Sequence, residues 1–186
     1  MARGTEVSRV SVTLPPLPEG HPSSLQVIDI TYDDGTVDRR WLKDDVVVVV
    51  AIDRDVNIVS IEEKGYQHCV TGYVDKDDSP EYTAHKELLE ETGYQTQSME
   101  LVCTTPQDSG GSDRKVHIFL ARSCEEMSEP KEDYIKTVVM KPGDFLEQFT
   151  ARMQDTSKPQ RGALSFLATT LVFLKLGFLK FSTEKE

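Results

Sequence analysis

The run Asp45-Val46-Val47-Val48-Val49-Val50-Ala51-Ile52 leaves the chain few ways to fold. β-Branched side chains are stiff and favour extended backbone. Successive residues of a strand point to opposite faces, so a strand with one wet face alternates apolar and polar residues. From Val46 to Ile52 there is no polar position, and both faces of this strand need cover. A strand buried on both sides belongs inside a sheet with one layer above it and another below.

The neighbouring segments supply the sheet and its cover. Residues 25–42, LQVIDITYDDGTVDRRWL, predict two strands around the turn Asp33-Asp34-Gly35-Thr36, an Asp-Gly hairpin signal. VNIVSIEE predicts the hairpin partner of the valine strand, and HCVTGYV, MELVCTT, KVHIFLA and YIKTVVM predict further strands. A helix is expected from Ser79, a good N-cap, through Pro80 at the first helical position to Gly93 at the end. Two more are expected near residues 143–153 and 162–178. Strands dominate the middle and helices pack outside, so the class is α+β, with an α/β/α sandwich as its form. Residues 1–23 read as an extended arm, within which the proline-rich LPPLPEGHPSS is not expected to be regular. Residues 24–186 read as a single domain, with a hairpin at 24–42 and a core at 43–186.

Bulk properties narrow the function. A net charge of −11 and a pI near 4.8 argue against non-specific nucleic-acid binding, which needs a basic footprint. Cys69, Cys103 and Cys124 are odd in number and widely spaced. They form neither a disulfide framework nor a zinc pattern, and they suit a reducing, cytoplasmic compartment. The N-terminus lacks the apolar core of a secretory signal. The most apolar stretch, GALSFLATTLVFLKLGFLKF, is interrupted by Lys175 and Lys180 and is too short to span a bilayer. It reads as a buried C-terminal helix, with a membrane- or partner-facing helix as the alternative.

The chemistry concentrates in residues 72–94, GYVDKDDSPEYTAHKELLEETGY. A glycine loop leads into the capped helix. On that helix Glu87 shares a face with Glu90 and Glu91, because residues three and four apart are neighbours. Such like-charge pairs cost roughly 0.2–0.5 kcal/mol each, a cost that a bound hard cation would relieve. Oxygen-only ligands suit Mg²⁺ or Mn²⁺, which also keep waters for a phosphate substrate.

This stretch resembles the Nudix box: glycine, five residues, glutamate, seven residues, then Arg-Glu-apolar-any-Glu-Glu-any-Gly-apolar. Gly72, Glu87, Leu88, Glu90, Glu91, Gly93 and Tyr94 match in place, while Asp78 replaces the first glutamate and Lys86 the arginine. RRWLKDDVVVVVAID, SGGSDRKVHIFLAR and GALSFLATTLVFLKLG extend the resemblance to the ADP-ribose and ADP-sugar pyrophosphatase branch, over most of residues 25–178. Gly110 stands where that branch carries proline and His68 where it carries glutamate, and the branch's arginine-rich substrate contacts are missing.

The resemblance implies a Nudix fold with a mixed sheet and an N-terminal β-hairpin. It also implies metal-dependent hydrolysis of a nucleoside diphosphate joined to another group. Glu87, Glu90 and Glu91 are implied metal ligands, with the carbonyl of Thr71 beside them. Glu132, with Glu129 in reserve, is implied as a further metal-binding and catalytic carboxylate, next to Glu90 and Glu91 as catalytic residues. Gly72, Gly111 and Arg114 are the expected substrate contacts. A homodimer through the N-terminal strands is implied as well. The alternative is a Nudix-fold nucleotide-binding accessory subunit with little hydrolysis. His85, His117 and Trp41 are expected to be structural.

Overall fold

In the computed structural model, residues 4–13, 26–41, 43–107, 112–131, 133–154 and 162–180 are described. The chain forms two compact units, one of Met1–Asp45 with Thr105–Val116, the other of Val46–Thr104 with His117–Glu186.

The first unit holds a three-stranded antiparallel sheet, β1 (Glu6–Thr13), β2 (Gln26–Tyr32) and β3 (Val37–Trp41), in that order. The predicted hairpin is there: Gly35 turns at φ 80°, and Tyr32 N–H donates to Thr36 O at 2.9 Å. Within the expected extended N-terminal arm, β1 is a strand that no sequence signal singled out. It is an edge strand with a polar composition, and its ladder partner lies beyond the proline-rich segment, so no local pattern announced it. That proline-rich segment itself lies outside the described residues. The expected hairpin is thus two strands of a three-stranded sheet.

The second unit is built on an eight-stranded sheet with the path β11-β5-β4-β10-β8. The valine run forms β4 (Val46–Asp53), and Val47 to Ala51 are fully buried, as the absence of polar positions requires. Full burial of each valine is worth about 1.5–3 kcal/mol. β5 (Ile58–Glu63) pairs with β4 antiparallel, and β11 (Ile135–Met140) lies on its other side. The segment HCVTGYV does not make one strand. It divides into β6 (Tyr66–His68) on β5 and β7 (Val70–Tyr73) on β4. The division falls at Cys69, whose N–H donates at 3.1 Å to the Ser165 hydroxyl. β8 (Tyr94–Gln95), β9 (Ser98–Pro106) and β10 (Lys115–Glu126) complete the sheet.

Helix α1 (Pro80–Thr92) inserts Ala84 and Leu88 into a core with Val47, Val49 and Ala51 on one face of β4. Helix α3 (Ala163–Leu176) packs against β4 through Ala168, Val172 and Phe173, so the even-numbered valines take the other layer. One face of α3 is buried, as expected of this helix, while Phe166 and Leu167 are exposed. Helix α2 (Pro142–Gln154) contributes Phe145 and Phe149, and the rings of Phe145, Phe149 and Phe166 stack in series at 5.6 and 6.0 Å. No helix among the described residues is long and apolar enough to cross a membrane.

Candidate active site

The local chemistry of α1 fixes the direction of its acidic face. Ser79 caps the helix by accepting from Tyr82 N–H at 3.1 Å, and Pro80 follows at the first position. Gly93 ends it in the left-handed region, at φ 76°. A side chain at 93 would also lie 1.8 Å from Ser128 O. The loop after β10 docks on that turn: Met127 and Ser128 donate to Gly93 O, and Lys131 N–H to Glu90 O at 2.8 Å. Ala84 and Leu88 anchor the buried face, and the three glutamates, all half-buried, lie beside it.

Two of the three glutamates meet consecutive residues of β7. Glu91 Oε2 accepts the Thr71 N–H at 3.2 Å. Glu87 lies against Gly72 so closely that a Cβ there would sit 2.3 Å from its Cγ and 2.4 Å from its Cδ. Glycine is therefore required at 72 by this approach and not by backbone conformation. Glu90 leans the other way and pairs with Lys131 Nζ at 2.7 Å. Lys86 pairs with Asp75 at 3.5 Å. Some desolvation opposes its charge, but the carboxylates of Asp75, Glu87 and Glu90 prevail and hold the ammonium above its ordinary range. Asp78 sits in the turn before the helix, its N–H donating to Asp75 O.

Among the described residues, no three His, Cys, Asp or Glu side chains converge in a group able to hold a metal ion. What the fold brings together is the pair Glu87 and Glu91 on the Thr71–Gly72 backbone, with Glu90 one residue along the helix. The donors are all hard oxygens, which fits Mg²⁺ or Mn²⁺. The space a Cβ would fill at Gly72 is taken by Glu87 itself, so the glycine and that glutamate form one feature.

Other expected site residues are more scattered. Glu132 and Gly111 lie outside the described residues. Glu129 is exposed and borders a cavity of about 360 Å³ with Thr92, Tyr94 and Glu126. Arg114 belongs to the first unit, where its Nε donates to Asp44 O at 2.8 Å and its guanidinium reaches Gln107 at 3.3 Å. His117 is a β10 residue hydrogen-bonded to Thr104 at 3.0 Å, between buried Val116 and Ile118, and His85 lies half-buried on α1. The side chain of Trp41 is not among those described.

The sequence reading missed a cavity of about 330 Å³ lined by Glu63, Lys64, Tyr66, His68 and Thr71 on the strands and by Gly162–Ser165 at the start of α3. It joins the box at Thr71. The hairpin β5–β6 turns at Lys64 and Gly65, both at positive φ, and so presents Glu63, Tyr66 and His68 along one edge. His68 Nδ1 is 2.9 Å from Cys69 O. A carbonyl only accepts, so Nδ1 carries a proton. The aromatic and histidine of GYQH were visible in the sequence, but their neighbours on α3 are about a hundred positions away.

Comparison with known proteins gives a consistent result. The family model described as NUDIX domain matches residues 42–159. A methanol dehydrogenase activator of Bacillus methanolicus is 31% identical over 115 residues, 58% of this chain and 62% of the relative, so the match spans under two thirds of that protein. An ADP-ribose pyrophosphatase of Bacillus subtilis (strain 168) is 26% identical over 147 residues, 75% of this chain and 76% of the relative. A crystal structure of an ADP compounds hydrolase superposes with a TM-score of 0.65 at 18% identity, covering 96% of this chain and 97% of that one. At that identity the likeness is one of fold.

Proposed function

The chain belongs to the Nudix family, and on that premise we propose that it is a pyrophosphohydrolase that cleaves the diphosphate of a nucleoside diphosphate joined to a sugar-like group. The observation that carries this reading is the seating of Glu91 on the Thr71 N–H and of Glu87 on Gly72. A helix face that served only as solvated surface has no need to press a carboxylate onto a strand glycine.

In this reading Glu87, Glu90, Glu91, Glu132 and the Thr71 carbonyl would hold Mg²⁺ or Mn²⁺. A bound ion would supply positive charge to the diphosphate. The protein's own residues place and deprotonate the water. Glu91 is oriented by the Thr71 N–H, and Glu90 by Lys131. A carboxylate of the set Glu90, Glu91 and Glu132 takes the proton as the water oxygen bonds to one phosphorus, the bond from that phosphorus to the bridging oxygen breaks, and the second phosphate leaves carrying the bridging oxygen. Gly72 serves as a substrate contact. Asp78 and Lys86 keep the charge of the residues they replace.

The test is a panel of nucleoside diphosphate compounds assayed for monophosphate release. Mg²⁺ or Mn²⁺ should support hydrolysis and EDTA should abolish it. Full turnover by the metal-stripped protein would overturn the mechanism. A second reading, a nucleotide-binding accessory subunit, draws support from the relative named as a methanol dehydrogenase activator; it requires that the panel give no turnover.

Two further elements belong to the proposal. A homodimer through the N-terminal sheet is supported by exposed Val7, Val10 and Val37 on it. A cytoplasmic, reducing location is supported by three cysteines that are all free thiols.

A further inference from the structure

We propose that Thr83 is a positioning residue for the cation site: when a divalent cation is held on α1, the Thr83 hydroxyl donates to the Glu87 carboxylate and fixes the oxygen that the cation does not take. This rests on the reading of the box glutamates as a cation site. It adds a donor from the seven positions that the box pattern leaves unspecified.

Three observations converge on Thr83. The first is an unmet hydrogen bond. Thr83 is 1% exposed, and among the described residues its Oγ1 is the one buried side-chain nitrogen or oxygen without a partner. Buried polar groups are otherwise paired, so an orphan of this kind calls for an explanation. The second is position. Thr83 lies four residues before Glu87 and seven before Glu90, which puts it on the same side of α1, one turn nearer the N-terminus than Glu87.

The third is the set of neighbours. Along the helix, the side chains beside Glu87 are those three and four residues away: Thr83, Ala84, Glu90 and Glu91. Ala84 has no polar group, and Glu90 and Glu91 are acceptors of the same charge. Thr83 alone of these four has a hydrogen to give. On another side β7 confines the carboxylate, since a Cβ at Gly72 would lie 2.7 Å from Glu87 Oε1. The other two box glutamates each take a hydrogen from a fixed donor, Glu91 from Thr71 N–H at 3.2 Å and Glu90 from Lys131 Nζ at 2.7 Å. Carboxylates that hold a metal are oriented in this way by outer donors. A hydroxyl does so without setting a positive charge against the cation. Cation binding and satisfaction of the hydroxyl are then linked, so a change at residue 83 acts in opposite senses on the metal-free and metal-loaded protein.

The test compares the wild type with Thr83→Val, which replaces the hydroxyl by a methyl of similar shape, and Thr83→Ser, which keeps it. Mn²⁺ affinity is measured by calorimetry, and Tm is measured in EDTA and in saturating Mn²⁺. Thr83→Val should raise Tm in EDTA, because it removes the unmet polar group, and should bind Mn²⁺ about tenfold more weakly. Thr83→Ser should restore most of the affinity. Unchanged Mn²⁺ affinity in Thr83→Val would overturn the proposal. An equal fall of Tm in both conditions with unchanged affinity would give the hydroxyl a structural role instead, turned to the Ser79 carbonyl one turn back. A loss of affinity that Thr83→Ser shares in full would overturn it too, because packing and not the hydroxyl would then be at work. Calorimetry keeps this proposal apart from the readings beneath it. Affinity lost in Glu91→Gln and intact in Thr83→Val would leave the cation site and remove the role of Thr83. A wild type that binds no Mn²⁺ would remove both. Mn²⁺ bound by the wild type and weakened in Thr83→Val, with no turnover of any nucleotide, would remove the hydrolase and leave the role of Thr83 standing.

Discussion

The α1–β7 junction and the β5–β6 hairpin meet at Thr71, yet they are held in place by different means. At the junction, backbone does the holding. A main-chain N–H fixes Glu91, and the missing Cβ of Gly72 admits Glu87. In the hairpin, side chains add to the antiparallel β5–β6 ladder. Gln67 Nε2 donates to Ser60 Oγ at 2.8 Å, Ser60 in turn donates to Val138 O at 3.0 Å, and Arg152 reaches Gln67 O at 3.5 Å. Ser60 and Gln67 are buried, Arg152 half-buried, and each has a partner among its neighbours. Backbone contacts tolerate few residue types, whereas side-chain networks can be exchanged. The junction is therefore the part that constrains chemistry, and the hairpin the part that can vary with substrate.

The largest effect expected from breaking this contrast is at Gly72. In Gly72→Ala the new methyl displaces Glu87, because their separation would be far below contact distance. The displaced atoms belong to a side chain, so the fold should survive with a small fall in Tm. Catalysis should fall about a hundredfold or more, since small misplacements at a reacting centre are costly. Steady-state kinetics beside a melting curve checks this; near-wild-type kcat would show that Glu87 does not need its seat on β7.

A smaller and different effect is expected from Gln67→Ala. It leaves the buried Ser60 hydroxyl without its donor and loosens the edge that carries Tyr66 and His68. Unfolding in urea should show a loss of about 1–3 kcal/mol, the usual cost of breaking a buried polar pair. KM should rise several-fold and kcat should hold. A fall in kcat with KM unchanged would place the hairpin in the chemistry and erase the distinction between the two regions.

The same contrast explains what could be read from the sequence. The valine run, the Asp33–Thr36 turn and the Ser79–Gly93 helix are local signals, each complete within some fifteen residues, and each took its expected form. The Nudix box is of this kind too, because the glycine and glutamates it joins are near in sequence. β1 was missed because the partner that makes it a strand lies across the proline-rich segment. The break at Cys69 was missed because its cause is Ser165, 96 positions away. For the same reason the cavity was not legible. Half its wall comes from the start of α3, and nothing in GYQH says what will stand opposite it.

The central claim is that the box glutamates are a cation site and not a solvated acidic face, and Glu91→Gln tests it most directly. Glutamine can still accept the Thr71 N–H, so the helix keeps its seat on β7 while the site loses one charge. Metal that binds only the native state stabilises it by about 2.7 kcal/mol at a hundredfold excess over Kd. Melting curves with and without saturating Mn²⁺ should show a clear rise in Tm for the wild type and a much smaller one for Glu91→Gln, and the variant should lose most hydrolysis. A variant that keeps both the full metal-induced rise and wild-type turnover would contradict the account.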